Sequence, residues 1–110
     1  MEITPFYVAG QKSTSDDTLD VHHPYDGRMV GRTANATPEQ VERAVAAAAG
    51  VAAEASALPA AARAAALDHV SRRLAERADE VAQLITAENG KPLKWARAEV
   101  ARGVSTFRWA

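Results

Sequence analysis

The sequence is defined first by what it does not contain. Among its 110 residues there is no cysteine. That excludes a disulfide framework, zinc sites built on thiolates, and a thiol nucleophile within these residues. Only 5% of the residues are aromatic, and no block of like charge occurs. Lys and Arg number 13 against 14 Asp and Glu, for a net charge of −1. A basic face for nucleic acid or an anionic membrane surface is therefore not expected. The most apolar stretch, 44–66, owes its hydropathy to alanine and is interrupted by Gly50, Glu54, Pro59 and Arg63, so it does not read as a transmembrane helix. Residues 1–10 have no basic start leading into a long apolar run, so no secretory signal is expected. A cytoplasmic protein is the reading consistent with these absences.

What is present is an ordinary globular composition: 47% hydrophobic and 25% charged, enough for a small domain with a modest core. The first third reads in steps of two. Phe6-Tyr7-Val8 is short and β-favouring, Ala9-Gly10 breaks it, and 11–17 is polar and expected to be a loop. Leu19 and Val21 alternate with Asp20 and His22, as in a half-buried strand. Pro24-Tyr25-Asp26-Gly27 is a turn signal, since Pro fixes φ and Asp-Gly tolerates positive φ. Met29–Thr33 then reads as a return strand, so 19–22 and 29–33 are expected to pair as an antiparallel hairpin.

At Thr37 the period changes to 3.6. Thr37-Pro38-Glu39-Gln40 carries a capping residue, a proline suited to the first helical position, and a glutamine placed to complete a capping box. Val41, Ala44, Val45, Ala48, Ala49 and Ala52 then share a face. Pro59 opens a second helical stretch with an apolar stripe of Leu67, Val70, Leu74, Ala78, Val81 and Ile85. A break near Arg77-Ala78-Asp79 is possible within it. Asn89-Gly90 ends that stretch and Pro92 blocks its continuation. A last helix starts near Pro92 or Leu93, with Ala96, Val100, Val104 and Phe107 on one side. It stops at Trp109-Ala110 without a capping residue, and from this the chain is expected to be a fragment of something longer. Residues 1–36 form the expected strand-and-hairpin region, and 37–110 the expected helical region of three or four helices.

Few residues invite a chemical reading. Gly90-Lys91 resembles the end of a phosphate-binding loop, but the loop also needs a glycine where Ile85 stands and a hydroxyl residue where Pro92 stands. No G-x-G-x-x-G occurs. His22 and His23 are adjacent on a strand, so their rings point to opposite faces and one metal does not easily take both. A structural or solvent-facing role is the reading adopted for each. His69 lacks a second ligand at helical spacing. Asp68 and Arg72 read as a solvated helix face. Asn35-Ala36-Thr37 fits a glycosylation sequon, but Thr37 is better explained as the helix cap. Glu88 and Glu99 read as a helix-end charge and a packing or salt-bridge residue. No catalytic, cofactor-binding or metal-ligating residue is assigned.

The ordered set of segments resembles the start of the aldehyde dehydrogenase superfamily. Tyr7-Val8-Ala9-Gly10 resembles its first strand and turn. His23-Pro24-Tyr25-Asp26-Gly27 followed by Val30-Gly31 resembles its N-P-x-x-G…(I/V)-G hairpin, with His23 where Asn is usual. Val41–Ala48 resembles its first amphipathic helix, and Arg63-Ala64-Ala65-Ala66-Leu67 its R-x-x-x-L opening of the second. Glu88-Asn89-Gly90-Lys91-Pro92 matches E-x-G-K-P, Ala96-Arg97-Ala98-Glu99-Val100 matches A-x-x-E-V, and Val104–Phe107 extends the likeness.

The resemblance implies an α/β, Rossmann-like parent fold in which 37–110 is the helical part of the cofactor-binding domain, truncated at its C-terminus. It implies an enzyme that oxidises an aldehyde to a carboxylic acid. A cysteine thiolate attacks the carbonyl, hydride passes to NAD or NADP, and a glutamate-activated water releases the acid. An asparagine side chain and a backbone N–H stabilise the oxyanion. The nucleophile, that glutamate, the asparagine and the cofactor loops all come later in the family's sequence, so this chain alone is expected to be inactive and to bind no cofactor. Some members hold a structural cation near this region, close to where Glu99 falls. The implied partner is the rest of the dehydrogenase chain, in a parent homodimer or homotetramer, with neither nucleic acid nor membrane as a partner. The 94–107 stretch resembles members acting on small oxygenated aldehydes such as lactaldehyde, glyceraldehyde 3-phosphate or succinate semialdehyde. The alternative is a self-standing helical interaction module without enzymatic activity.

Overall fold

The computed structural model describes residues 2–110; the first residue of the expected 1–36 region lies outside them. Five short strands precede four helices. The strands are β1 (Ile3–Thr4), β2 (Phe6–Val8), β3 (Gln11–Ser13), β4 (Thr18–His22) and β5 (Met29–Ala34). The helices are α1 (Pro38–Ala57), α2 (Ala60–Glu76), α3 (Ala78–Asn89) and α4 (Leu93–Trp109). Two compact units result. One comprises residues 2–22 with 28–57; the other comprises the turn 23–27 with 58–110.

In the first unit, β4 and β5 form the expected antiparallel hairpin, with Leu19 opposite Thr33 and Val21 opposite Gly31. β1 adds in parallel to the far edge of β5, giving the order β1-β5-β4. The inward alternation of β4 differs from the expected one. Leu19 is 54% exposed, whereas Asp20 is half-buried. The reason is the residue directly across the ladder: Arg32 faces Asp20 and binds its carboxylate through Nε and Nη2, the latter at 3.0 Å. The charge-assisted bidentate pair gives partial shelter to the face opposite Leu19, while Val21 on the leucine's own face is half-buried as expected.

Part of the expected loop 11–17 is strand. β3 pairs with β2 through a two-residue turn at Ala9-Gly10, with Val8 opposite Gln11. Both turn residues have positive φ, 50° and 77°. A two-residue hairpin of this twist prefers Asn-Gly or Asp-Gly, so the alanine at its first position hides the signal.

α1 begins as its sequence dictates. The Thr37 amide donates to Gln40 Oε1 at 2.8 Å, and the Gln40 amide donates to Thr37 Oγ1 at 3.2 Å: the reciprocal capping box. Gln40 also reaches the strands, where Nε2 donates to Ser13 Oγ and to the Thr14 carbonyl. The sheltered stripe of α1 is Thr37, Gln40, Ala44 and Ala47, while Val41 and Val45 are exposed. It is rotated from the expected valine-containing face because small side chains let the helix lie close against β2.

In the second unit, Pro59 precedes α2 and the α2–α3 break falls at Arg77. Ala82 and Ala96 are fully buried and Val100 nearly so, with Leu74, Ala78, Val81, Ile85 and Leu93 packed around them. One member of the expected stripe is displaced: Val70 is 40% exposed, and its neighbour Ser71 is fully buried. Ser71 Oγ donates to the Val104 carbonyl of α4 at 2.8 Å. A Cβ at Gly103 would come within 3.2 Å of Leu74 Cδ2. The approach of α2 and α4 is thus set by a serine and a glycine, and a hydrophobic periodicity does not register either.

Candidate functional site

The segment with the strongest sequence signal, 88–92, forms a corner between α3 and α4. Gly90 caps α3 in the left-handed conformation, φ 76°, and its amide donates to the Thr86 carbonyl at 2.9 Å, the usual glycine ending of a helix. Asn89 Oδ1 accepts from the Lys91 amide at 2.9 Å. Pro92 then precedes α4, and its carbonyl accepts from the amides of Trp95 and Ala96.

A second constraint acts on Gly90. The β4–β5 turn lies against it, and a Cβ there would approach Pro24 Cγ to 2.9 Å. Only glycine satisfies both the backbone sign and the space. The turn is itself fixed by His23. Its Nδ1 accepts from the Tyr25 amide at 3.1 Å, and its carbonyl accepts from the Gly27 amide at 2.9 Å. Gly27, with φ 70°, supplies the positive φ expected of Asp-Gly.

Lys91 does not point into a cradle. Its ammonium pairs with Glu99 on α4, and this hydrogen bond, followed by the charge of Lys91, holds the Glu99 carboxyl below the ordinary glutamate range. With the Lys91 amide held by Asn89 and its ammonium by Glu99, neither group of the Gly-Lys pair is turned to a pyrophosphate as a phosphate-binding loop requires. These residues do not form a nicotinamide dinucleotide cradle. The Glu99 carboxylate is paired with the Lys91 ammonium. Among the described residues, no three His, Asp or Glu side chains gather as a metal site.

The other sequence candidates are dispersed. His22 is exposed while His23 is half-buried. Asp68 pairs with Arg72 one turn along α2 at 2.5 Å. His69 sits at the mouth of an apolar groove with Val70, Leu74, Val81 and Phe107, flanked by Arg73 and Arg77. Arg73 and Arg77 are paired with Glu76 and Glu80. No single helix among the described residues is long and apolar enough to cross a membrane.

Known proteins share this arrangement. A sequence profile of the aldehyde dehydrogenase family matches residues 11–110. The malonate-semialdehyde dehydrogenase of Bacillus pumilus is 34% identical over 106 residues, covering 94% of this chain and 22% of its own. Aldehyde dehydrogenase 21 from Physcomitrella patens, solved with the reaction product succinate, superposes with a TM-score of 0.90 at 34% identity over 94% of this chain and 22% of that one. PnpE, solved with nicotinamide adenine dinucleotide, gives 0.88 at 34% identity over 99% of this chain and 23% of its own. The chain therefore spans about a fifth of the length of these relatives. The profile match, the identities and the shared helix-corner architecture lead to one conclusion: the chain belongs to the aldehyde dehydrogenase family, as an N-terminal segment of it.

Proposed function

We propose that these residues are scaffold for an NAD(P)-dependent aldehyde dehydrogenase and carry none of its chemistry themselves. The observation that supports this most is the commitment of the 88–92 corner. The Lys91 amide is held by Asn89, its ammonium by Glu99, and the Gly90 amide by the Thr86 carbonyl, so the groups of the Gly-Lys pair are spent on holding α3 and α4 in place. With no cysteine in the sequence, the thiolate on which the family's chemistry depends has no source here.

In this reading, 37–110 is the helical portion of the cofactor-binding, Rossmann-like domain. The partner is the remainder of the dehydrogenase chain, in a cytoplasmic homodimer or homotetramer. Exposed Val41, Val45 and Val51 on α1, and Val70 and Phe107 in the second unit, are apolar surface of the sort such a remainder covers. A relative that acts on malonate semialdehyde, and another that holds succinate as product, support a small oxygenated aldehyde as the substrate class of the whole enzyme.

The test is a cofactor titration. Trp95 and Trp109 are both well exposed on α4 and report binding nearby. The scaffold reading expects no saturable change in tryptophan emission, and no binding heat, up to millimolar NAD+ or NADP+. Saturable one-to-one binding that Lys91→Ala abolishes would overturn it and make the corner a cofactor site.

A further inference from the structure

We propose that His23 is a proton-operated switch in the β4–β5 turn, acting on the Gly90 corner through Pro24. One atom of His23 has two suitors. Nδ1 of His23 accepts the Tyr25 amide at 3.1 Å, and the same atom stands 3.6 Å from Asp26 Oδ1. An imidazole nitrogen carries either a lone pair or a proton, so it cannot serve both. The neutral ring, with its proton on Nε2, accepts from Tyr25 and closes the turn. The protonated ring has a donor at Nδ1; it gives up the Tyr25 amide and turns its new N–H to the Asp26 carboxylate, a charge-assisted hydrogen bond.

The surroundings favour an exchange of partners over simple loss of one. The His23 side chain is 15% exposed, so water is a poor substitute partner, while the Asp26 side chain is 46% exposed. The flanking titratable and charged residues in the sequence are His22 and Arg28. On the corner packed against the turn, Glu88 and Lys91 flank Gly90, with Lys91 paired to Glu99. The turn has little room to move silently. Pro24 follows His23 directly, and its Cγ lies where a Cβ of Gly90 would be only 2.9 Å away. A change in the turn is therefore passed to the α3 cap, where the Gly90 amide holds the Thr86 carbonyl.

The test is an amide-resolved NMR titration of the 110-residue chain from about pH 8 to about pH 5, following the His23 ring and the Tyr25 and Gly90 amides together. The switch predicts that both amides move with the midpoint of the His23 ring, and that protection of the Tyr25 amide, corrected for intrinsic exchange, falls by up to about tenfold, the worth of one net hydrogen bond. His23→Asn keeps a side-chain acceptor that does not titrate, so both amides should stay fixed in that variant. A Tyr25 or Gly90 amide that stays still while the His23 ring titrates, or that shifts equally in His23→Asn, overturns the proposal.

Discussion

Between α2, α3 and α4, two alanines and a valine are withdrawn from solvent and five larger apolar side chains close around them. Among the strands and α1, Ala34 is the one buried apolar residue described, and α1 buries none. That half is fastened by polar bonds instead. Gln40 ties α1 to Ser13 and Thr14, Ser15 donates to the Asn35 carbonyl at 2.6 Å, Asn35 Nδ2 donates to Asp17 at 3.1 Å, and Asp20 holds Arg32. Hydrogen bonds fix geometry but add little net stability each, whereas apolar burial supplies most of the driving force. The helical unit thus has a core of its own, and the strand unit has specified positions awaiting a core.

That difference can be broken deliberately. Ala96→Leu forces three more carbons into a site with no exposure and should cost about 3 kcal/mol. Hydrogen exchange should speed up across α3 and α4 with β4 and β5 unchanged; equal loss in both units would show that they do not behave separately. Gly90→Ala combines a left-handed backbone with the Pro24 contact and should cost about 2 kcal/mol, read as a lower urea midpoint. A wild-type midpoint would mean that the corner is not rigid.

Ala9→Asn should act in the opposite sense. It relieves an alanine held at φ 50° and should stabilise the β2–β3 hairpin by about 0.5 kcal/mol, visible as slower exchange at Gln11 to Ser13.

Acid sharpens the comparison most gently. The Asp20 carboxyl is held down chiefly by its hydrogen bond from Arg32, and that of Glu99 by Lys91. A depressed carboxylate stabilises the fold above the ordinary carboxylate range, and that stabilisation is lost as pH falls through the depressed value. Outside the 23–27 turn and the Gly90 corner, protection should be flat from neutrality to about pH 5 and decline below about pH 4, with the strand unit first because it has less else to hold it. Loss beginning near neutrality would point to other groups.

The legible parts of the fold were those governed by one local rule. Thr37 with Gln40, Gly90 before Pro92, and Asp26-Gly27 each specify their own backbone, and each forms as its residues dictate. The parts that were not legible depend on a partner distant in sequence. Ser71 is buried because the Val104 carbonyl waits for it. Asp20 is half-buried because Arg32 stands opposite and binds its carboxylate. The Ala9 turn is imposed by strand pairing on a residue that resists it. At the 88–92 corner, the sequence carried the family pattern and the glycine cap, but neither the Pro24 contact nor the pairing of Lys91 with Glu99, since both join segments whose meeting no local pattern encodes.

On the reading proposed above, this chain positions other residues and carries none of the reacting groups. The most direct measurement is absorbance at 340 nm when the pure 110-residue protein is mixed with NAD+ or NADP+ and short aldehydes, succinate semialdehyde and lactaldehyde among them. The scaffold account predicts no reduced cofactor above the protein-free rate. Sustained formation of NADH or NADPH in proportion to protein concentration would contradict it.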